Sequence, residues 1–152
     1  MNKSPLNCLV TIALGAVLWV ILAVILAPSL SESPTLAIKD PARLAQELQY
    51  IFGSGILASI LSACSWYAYG AKESTAGNLG AAQKRWYMFF IGQIILSVSL
   101  ITTLIMMNVI EGIEPQWFAV YYLIIALLTF IFFWLTTFLM SPRTVKNLPL
   151  GK

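Results

Sequence analysis

Long apolar runs alternate with short polar connections along this chain. The runs cover about 9–29, 50–70, 86–110 and 117–140, and none of them contains Lys, Arg, Asp or Glu. A helix needs roughly 20 apolar residues to cross the hydrocarbon core of a bilayer, so each run predicts one membrane span. The first run is longer than the roughly 7–15 residues of a signal-peptide core, and only Lys3 precedes it. It reads as a retained span rather than a cleaved leader.

The connections carry their own signals. Pro28, Pro34 and Pro41 fall in or beside the 30–49 loop, which should therefore begin irregular. Asp40 followed by Pro41 is an N-cap signature with proline at the first helical position. From there "ARLAQELQYIFG" runs without a breaker into the second apolar run, predicting one helix from about 41 to 69. Leu44 and Leu48, four apart, share a face of that helix. Arg43 and Glu47 have the spacing of an i,i+4 ion pair. The 71–85 loop holds Gly70, Gly77, Asn78 and Gly80 at or near its ends and centre. It reads as a flexible connection with helix resuming near Ala81. The 111–116 connection is tight, which makes the third and fourth spans an antiparallel hairpin. The fold expected is all-α: an integral membrane protein forming a four-transmembrane-helix bundle in a single domain.

Charge supplies the orientation. Lys3, the 71–85 loop (Lys72, Lys84, Arg85) and the C-terminal tail (Arg143, Lys146, Lys152) place seven cations on one side of the membrane. Lys39 and Arg43 are the two on the other side. Basic residues concentrate on the cytoplasmic face, so both termini are expected there. Trp66, Tyr67, Tyr69, Trp86 and Tyr87 cluster around the cytoplasmic loop, and Trp117, Tyr121 and Tyr122 around the outer boundary. These rings are expected at headgroup level. Composition agrees with the membrane reading: 59% of the 152 residues are hydrophobic and 10% are charged, against about 25% charged in a soluble domain. The net charge of +3 is spread over loops and tails, without the basic, aromatic-interleaved patch of a nucleic-acid binder.

The second run raises a sharper question, because "GSGILASILSACS" (53–65) gives up so much side-chain volume. On a wheel of about 100° per residue, Ser54, Gly55, Ala58, Ser59, Ser62, Ala63 and Ser65 take one half of the circumference. Ile56, Leu57, Ile60 and Leu61 take the other. Helices in lipid associate through close backbone approach and interhelical hydrogen bonds, which small residues permit. The small face is a helix-packing face with three readings: the centre of the chain's own bundle, a dock for another subunit, or a serine-lined path. In the third run Gln93, Ser97 and Asn108 lie within about 60° of one another and are the strongest intramembrane polar group. An unpaired amide in hydrocarbon is costly, so Gln93 should face protein, as an interhelical hydrogen bond or as a ligand contact. The fourth run has no glycine, and Phe130, Phe132, Phe133 and Trp134 give it bulk all round, as suits a peripheral helix.

Catalytic chemistry is sparse. The chain has no histidine, the usual proton shuttle and metal or haem ligand. Its two cysteines, Cys8 and Cys64, form no CxxC motif, which sets it apart from the four-helix disulfide-forming membrane enzymes. They fall near the same side of the membrane, and a disulfide scaffold is not expected. No span holds a carboxylate, and ion-coupled transporters generally need an ionisable group there. The small multidrug transporters, similar in size and helix count, carry a buried Glu in the first span that this chain lacks. Glu111 and Glu114 are an acidic pair in the outer turn, more at home in water than on a cation. No catalytic residue, no metal site and no cofactor is expected; a lipid, quinone or pigment held by apolar grooves stays open. The expected role is that of a non-enzymatic accessory, assembly or scaffolding subunit of a larger membrane complex. Its partners would be membrane lipids and other transmembrane subunits, not nucleic acid. The membrane expected is a bacterial inner membrane or an equivalent energy-transducing one. The alternative is a small homo-oligomeric transporter or channel for an uncharged solute or a lipid.

Overall fold

The computed structural model describes residues 4–31, 40–70, 79–110 and 115–140. The chain forms α1 (Ser4–Ile21), a π-helical turn (Leu22–Leu26), α2 (Ala27–Ser31), α3 (Pro41–Ser65), a second π-helical turn (Trp66–Gly70), α4 (Leu79–Met106) and α5 (Pro115–Met140). Four stretches are long and apolar enough to cross a membrane: Pro5–Ser31, Pro41–Tyr69, Gly80–Met106 and Ala119–Leu139. The fold is all-α and consistent with a four-helix bundle, as befits an integral, multi-pass membrane protein. The outer-turn pair Glu111 and Glu114, the cations Lys3, Lys39 and Lys72, the tail from 141 and the side chain of Trp117 lie outside the described residues.

The first helix departs from expectation at Pro28. The proline does not end the helix; it is absorbed by the π-helical turn before it. Ala27 N–H donates to Leu22 O, one residue further back than in an α-helix. The next bond in that register would need an N–H at Pro28, which proline lacks. Ala23 O is thereby left without a helical donor, and Gln49 Nε2 reaches across from α3 to supply one at 3.2 Å. Ser29 Oγ donates to Ile25 O at 2.6 Å and Ser31 Oγ to Pro28 O at 2.8 Å, meeting further carbonyls of the distorted segment. Side-chain donors and local π adjustment are how proline is tolerated inside membrane helices.

The start of α3 follows the sequence reading. Asp40 is extended (φ −139°, ψ 90°), its carboxylate accepts from Arg43 N–H at 3.1 Å, and Pro41 opens the helix. Arg43 Nε meets Glu47 Oε1 at 3.1 Å, while Leu44 and Leu48 are buried.

α3 is the centre of the bundle. It packs on α1, α2, α4 and α5, whereas the backbones of α5 and of α1 and α4 come close at few points, α4 and α5 meeting mainly through side chains such as Trp86 and Phe133. Of its most apolar window 56% is buried, against 22%, 17% and 33% in the other three long helices. Along its length the core changes character. One end is aliphatic, with Leu44, Leu48, Ile51 and Ile56 against Leu22, Ile101, Tyr121 and Ile125. The other end is aromatic, with Ala63, Trp66 and Tyr67 against Ala82, Trp86 and Phe133. Between them lies a layer of small and polar residues.

That aromatic end is packed largely inside the bundle. Trp66, Tyr67 and Trp86 are buried, and only Tyr69 and Tyr87 of the five are exposed. The π turn at Trp66–Gly70 and the packing of α4 draw the rings inward. Trp86 sits 5.2 Å from Phe133 and 5.8 Å from Phe90, centroid to centroid. Its Nε1–H finds Thr137 Oγ1 at 3.1 Å, so the indole needs no water. For the same reason α5 is less peripheral than its bulk suggests: Phe132, Phe133, Thr136 and Thr137 are buried, while Leu127, Ile131, Leu135 and Leu139 face outward.

Candidate functional site

Six of the seven small residues of the α3 face are buried, namely Ser54, Gly55, Ala58, Ser59, Ser62 and Ala63; Ser65 is only partly so. Two neighbours share them. Gly55 lies against α5 so closely that a Cβ there would stand 2.7 Å from Ile125 Cγ1 and 3.1 Å from Thr129 Cγ2. One turn on, Ser59 Oγ donates to Thr129 O at 3.3 Å. On another side, Ile56 and Ile60 occupy the space a side chain at Gly15 of α1 would need. Helical rotation then turns Ser54 and Ala58 toward α4.

The facing stripe of α4 is Ala82, Trp86, Gln93, Ser97 and Ile101, all buried at spacings of three or four residues or their sum, as helix pairs in lipid favour. Gln93 is 2% exposed, and its Oε1 has no hydrogen-bond partner among the described residues. Asn108 does not join Gln93 and Ser97. The helix stops at Met106, and Asn108 takes the left-handed conformation (φ 55°) just beyond it. Asn108 N–H donates to Ile105 O and Val109 N–H to Leu104 O, both at 3.0 Å. This is the Schellman arrangement, with asparagine where glycine is more usual. Asn108 therefore ends a helix at the boundary instead of lining one.

The remaining sector of α3 is covered by no helix among the described residues. α1 and α4 flank it and leave an open groove of about 640 Å³. Its floor is Gly53, Ser54, Leu57 and Ile60, with Ile12, Ala16 and Trp19 as one wall and Leu100, Thr103 and Leu104 as the other. Polar groups gather at one end. Gln46 Nε2 donates to Tyr50 OH at 3.2 Å, and Gln49 is spoken for by Ala23 O. Ser54 Oγ turns back to Ile51 O at 2.9 Å, so the floor is less polar than its sequence. A Cβ at Gly53 would stand 3.1 Å from Trp19 Nε1, so the indole edge closes over that glycine.

Sequence reasoning found the small face and the buried amide but missed this groove. The signal was present: Gln46, Tyr50, Gly53 and Leu57 recur at three- and four-residue steps on the half of α3 opposite the small face. Read as a lipid-facing strip, it attracts no notice until α1 and α4 are seen to stand apart over it.

The chain matches no family model, no curated protein and no solved structure. Its functional reading therefore stands on geometry and chemistry alone.

Proposed function

We propose that this chain is a non-catalytic accessory or assembly subunit of a larger membrane complex, and that it receives a transmembrane helix of a partner in the groove between α1 and α4. The observation that carries the reading is the incomplete ring around α3. Among the described residues, three sectors of this helix are covered by α1, α4 and α5, and the fourth is an open, mostly apolar slot with small residues at Ser54 and Ala16. Small residues allow a helix to approach closely, and close approach is what holds helices together in lipid. The polar end at Gln46 and Tyr50 supplies hydrogen-bonding groups that would fix the partner's register. The cation asymmetry supports a cytoplasmic location for both termini, and the membrane proposed is a bacterial inner membrane or its energy-transducing equivalent.

The test is gentle solubilisation followed by native electrophoresis and mass spectrometry of whatever co-migrates. The wild-type chain is expected in one large assembly at fixed stoichiometry. Ala16→Trp and Thr103→Trp fill the groove from exposed wall positions and should release the chain as a small, still folded species. A wild-type chain that migrates alone in every mild detergent sinks the proposal.

A second reading, a small homo-oligomeric transporter for an uncharged solute or a lipid, is favoured by the unpartnered amide oxygen of Gln93. Liposome flux lost in Gln93→Leu would support it; the absence of flux in wild type would remove it. Against it, the hydroxyls of Thr129, Thr136 and Thr137 bond back to carbonyls of their own helix at 2.7–2.9 Å and do not point along a path.

A further inference from the structure

The two cysteines meet. Cys8, in the second turn of α1, donates from Sγ to Cys64 O of α3 at 3.9 Å. Both thiols are free and half-buried. One turn along each helix, Thr11 Oγ1 and Tyr67 OH share a buried hydrogen bond of 3.2 Å. Two turns along α1, Gly15 lies directly against Ile56 and Ile60. The thiols are thus held at a close and doubly registered helix crossing. They are not surface groups that happen to pass.

We propose that Cys8 and Cys64 form a reversible disulfide that ties the beginning of α1 to the end of α3. The oxidant is a small-molecule disulfide of the oxidised-glutathione class. One cysteine, as thiolate, attacks a sulfur of that molecule; the small-molecule S–S bond breaks, one thiol leaves, and a mixed disulfide forms on the protein. The second cysteine, as thiolate, attacks the protein sulfur and displaces the other small thiol. Two protein thiols are oxidised, one small disulfide is reduced to two thiols, and the two cysteine protons end on them. The bond closes a long loop of chain, which restricts the unfolded state, and it fixes the α1 wall of the groove. The chemistry stands whether or not a partner helix uses that groove.

The experiment uses the purified full chain in detergent, incubated with oxidised glutathione, then alkylated and measured by intact-mass spectrometry. The expected product has lost two hydrogens, takes up no alkylating reagent, and yields a non-reduced peptide pair containing Cys8 and Cys64. Dithiothreitol reverses it. Its thermal midpoint rises above that of the reduced chain. Cys8→Ser and Cys64→Ser, both small polar replacements, should fold with unchanged helix content and show neither the mass loss nor the rise. Stable glutathione adducts without the internal bond, intermolecular cross-links as the main product, or two thiols that remain alkylatable would each overturn the proposal.

Discussion

Against α5, α3 presents Gly55 and Ser59, and each has a counterpart: the side chains of Ile125 and Thr129 fill the space over the glycine, and Thr129 O accepts from the serine. On the side of α4, toward which helical rotation turns Ser54 and Ala58, the Gln93 amide oxygen is buried without a hydrogen-bond partner among the described residues. Both interfaces have small residues on one helix and polar groups at mid-bundle. One closes tightly over them and the other does not. The difference shows what holds each outer helix. α5 is gripped in the middle, by backbone approach. α4 is gripped at its ends, by Ile101 in the aliphatic cluster and Trp86 in the aromatic one. In lipid there is little to gain from hiding apolar surface as such, so the fit at these points decides the packing.

The largest effect should come from breaking the tight interface. Gly55→Leu drives a side chain into Ile125 and should cost about 3 kcal/mol, read as a lower midpoint in detergent unfolding. Gly92 of α4 has nothing within 4 Å of where its Cβ would be, so Gly92→Leu should be neutral or slightly stabilising through helix propensity. If the two variants fall together, the loss at Gly55 does not come from its close approach to α5.

Next comes Gln93→Leu. Removing an amide whose buried oxygen is unpaired should raise stability by about 1–3 kcal/mol. A clear loss of stability would mean that the amide does have a partner, and that the two interfaces are alike after all. The smallest effect should be that of Ser59→Ala, which deletes one long interhelical hydrogen bond and should lower stability by about 0.5–1 kcal/mol. Equal and opposite shifts from these two variants, measured in the same micelle, would sharpen the comparison most.

The parts of this structure legible in sequence are those that depend on local chemistry. Asp40 and Pro41 announce the start of α3 because capping needs only the next three residues. The four long helices follow from hydropathy because their length is set by the bilayer. The small half of α3 is visible because size asymmetry is a property of one helix. What was hidden depends on neighbours. Trp66 and Trp86 have the composition and position of boundary anchors, and only the mutual packing of α3, α4 and α5 buries them. Asn108 falls on the same wheel as Gln93 only while the helix is assumed to continue, and its left-handed backbone ends that assumption. Pro28 looks like a stop, because the donor that rescues the helix sits 21 residues later, at Gln49. The groove belongs to no single element, being the space that two helices leave over a third.

The Gln49–Ala23 bond has a consequence for how the protein is made. The first span leaves the ribosome before α3 exists, so during that interval the Ala23 carbonyl lacks the donor that Gln49 later supplies, a gap that counts wherever water is excluded. α1 and α2 are therefore unfinished as an independent membrane helix. Their insertion is completed only when the following span arrives and brings an amide to the gap. Synthesis order and hydrogen bonding thus make the first two spans a single unit of assembly, and a chain cut between them would leave neither half whole.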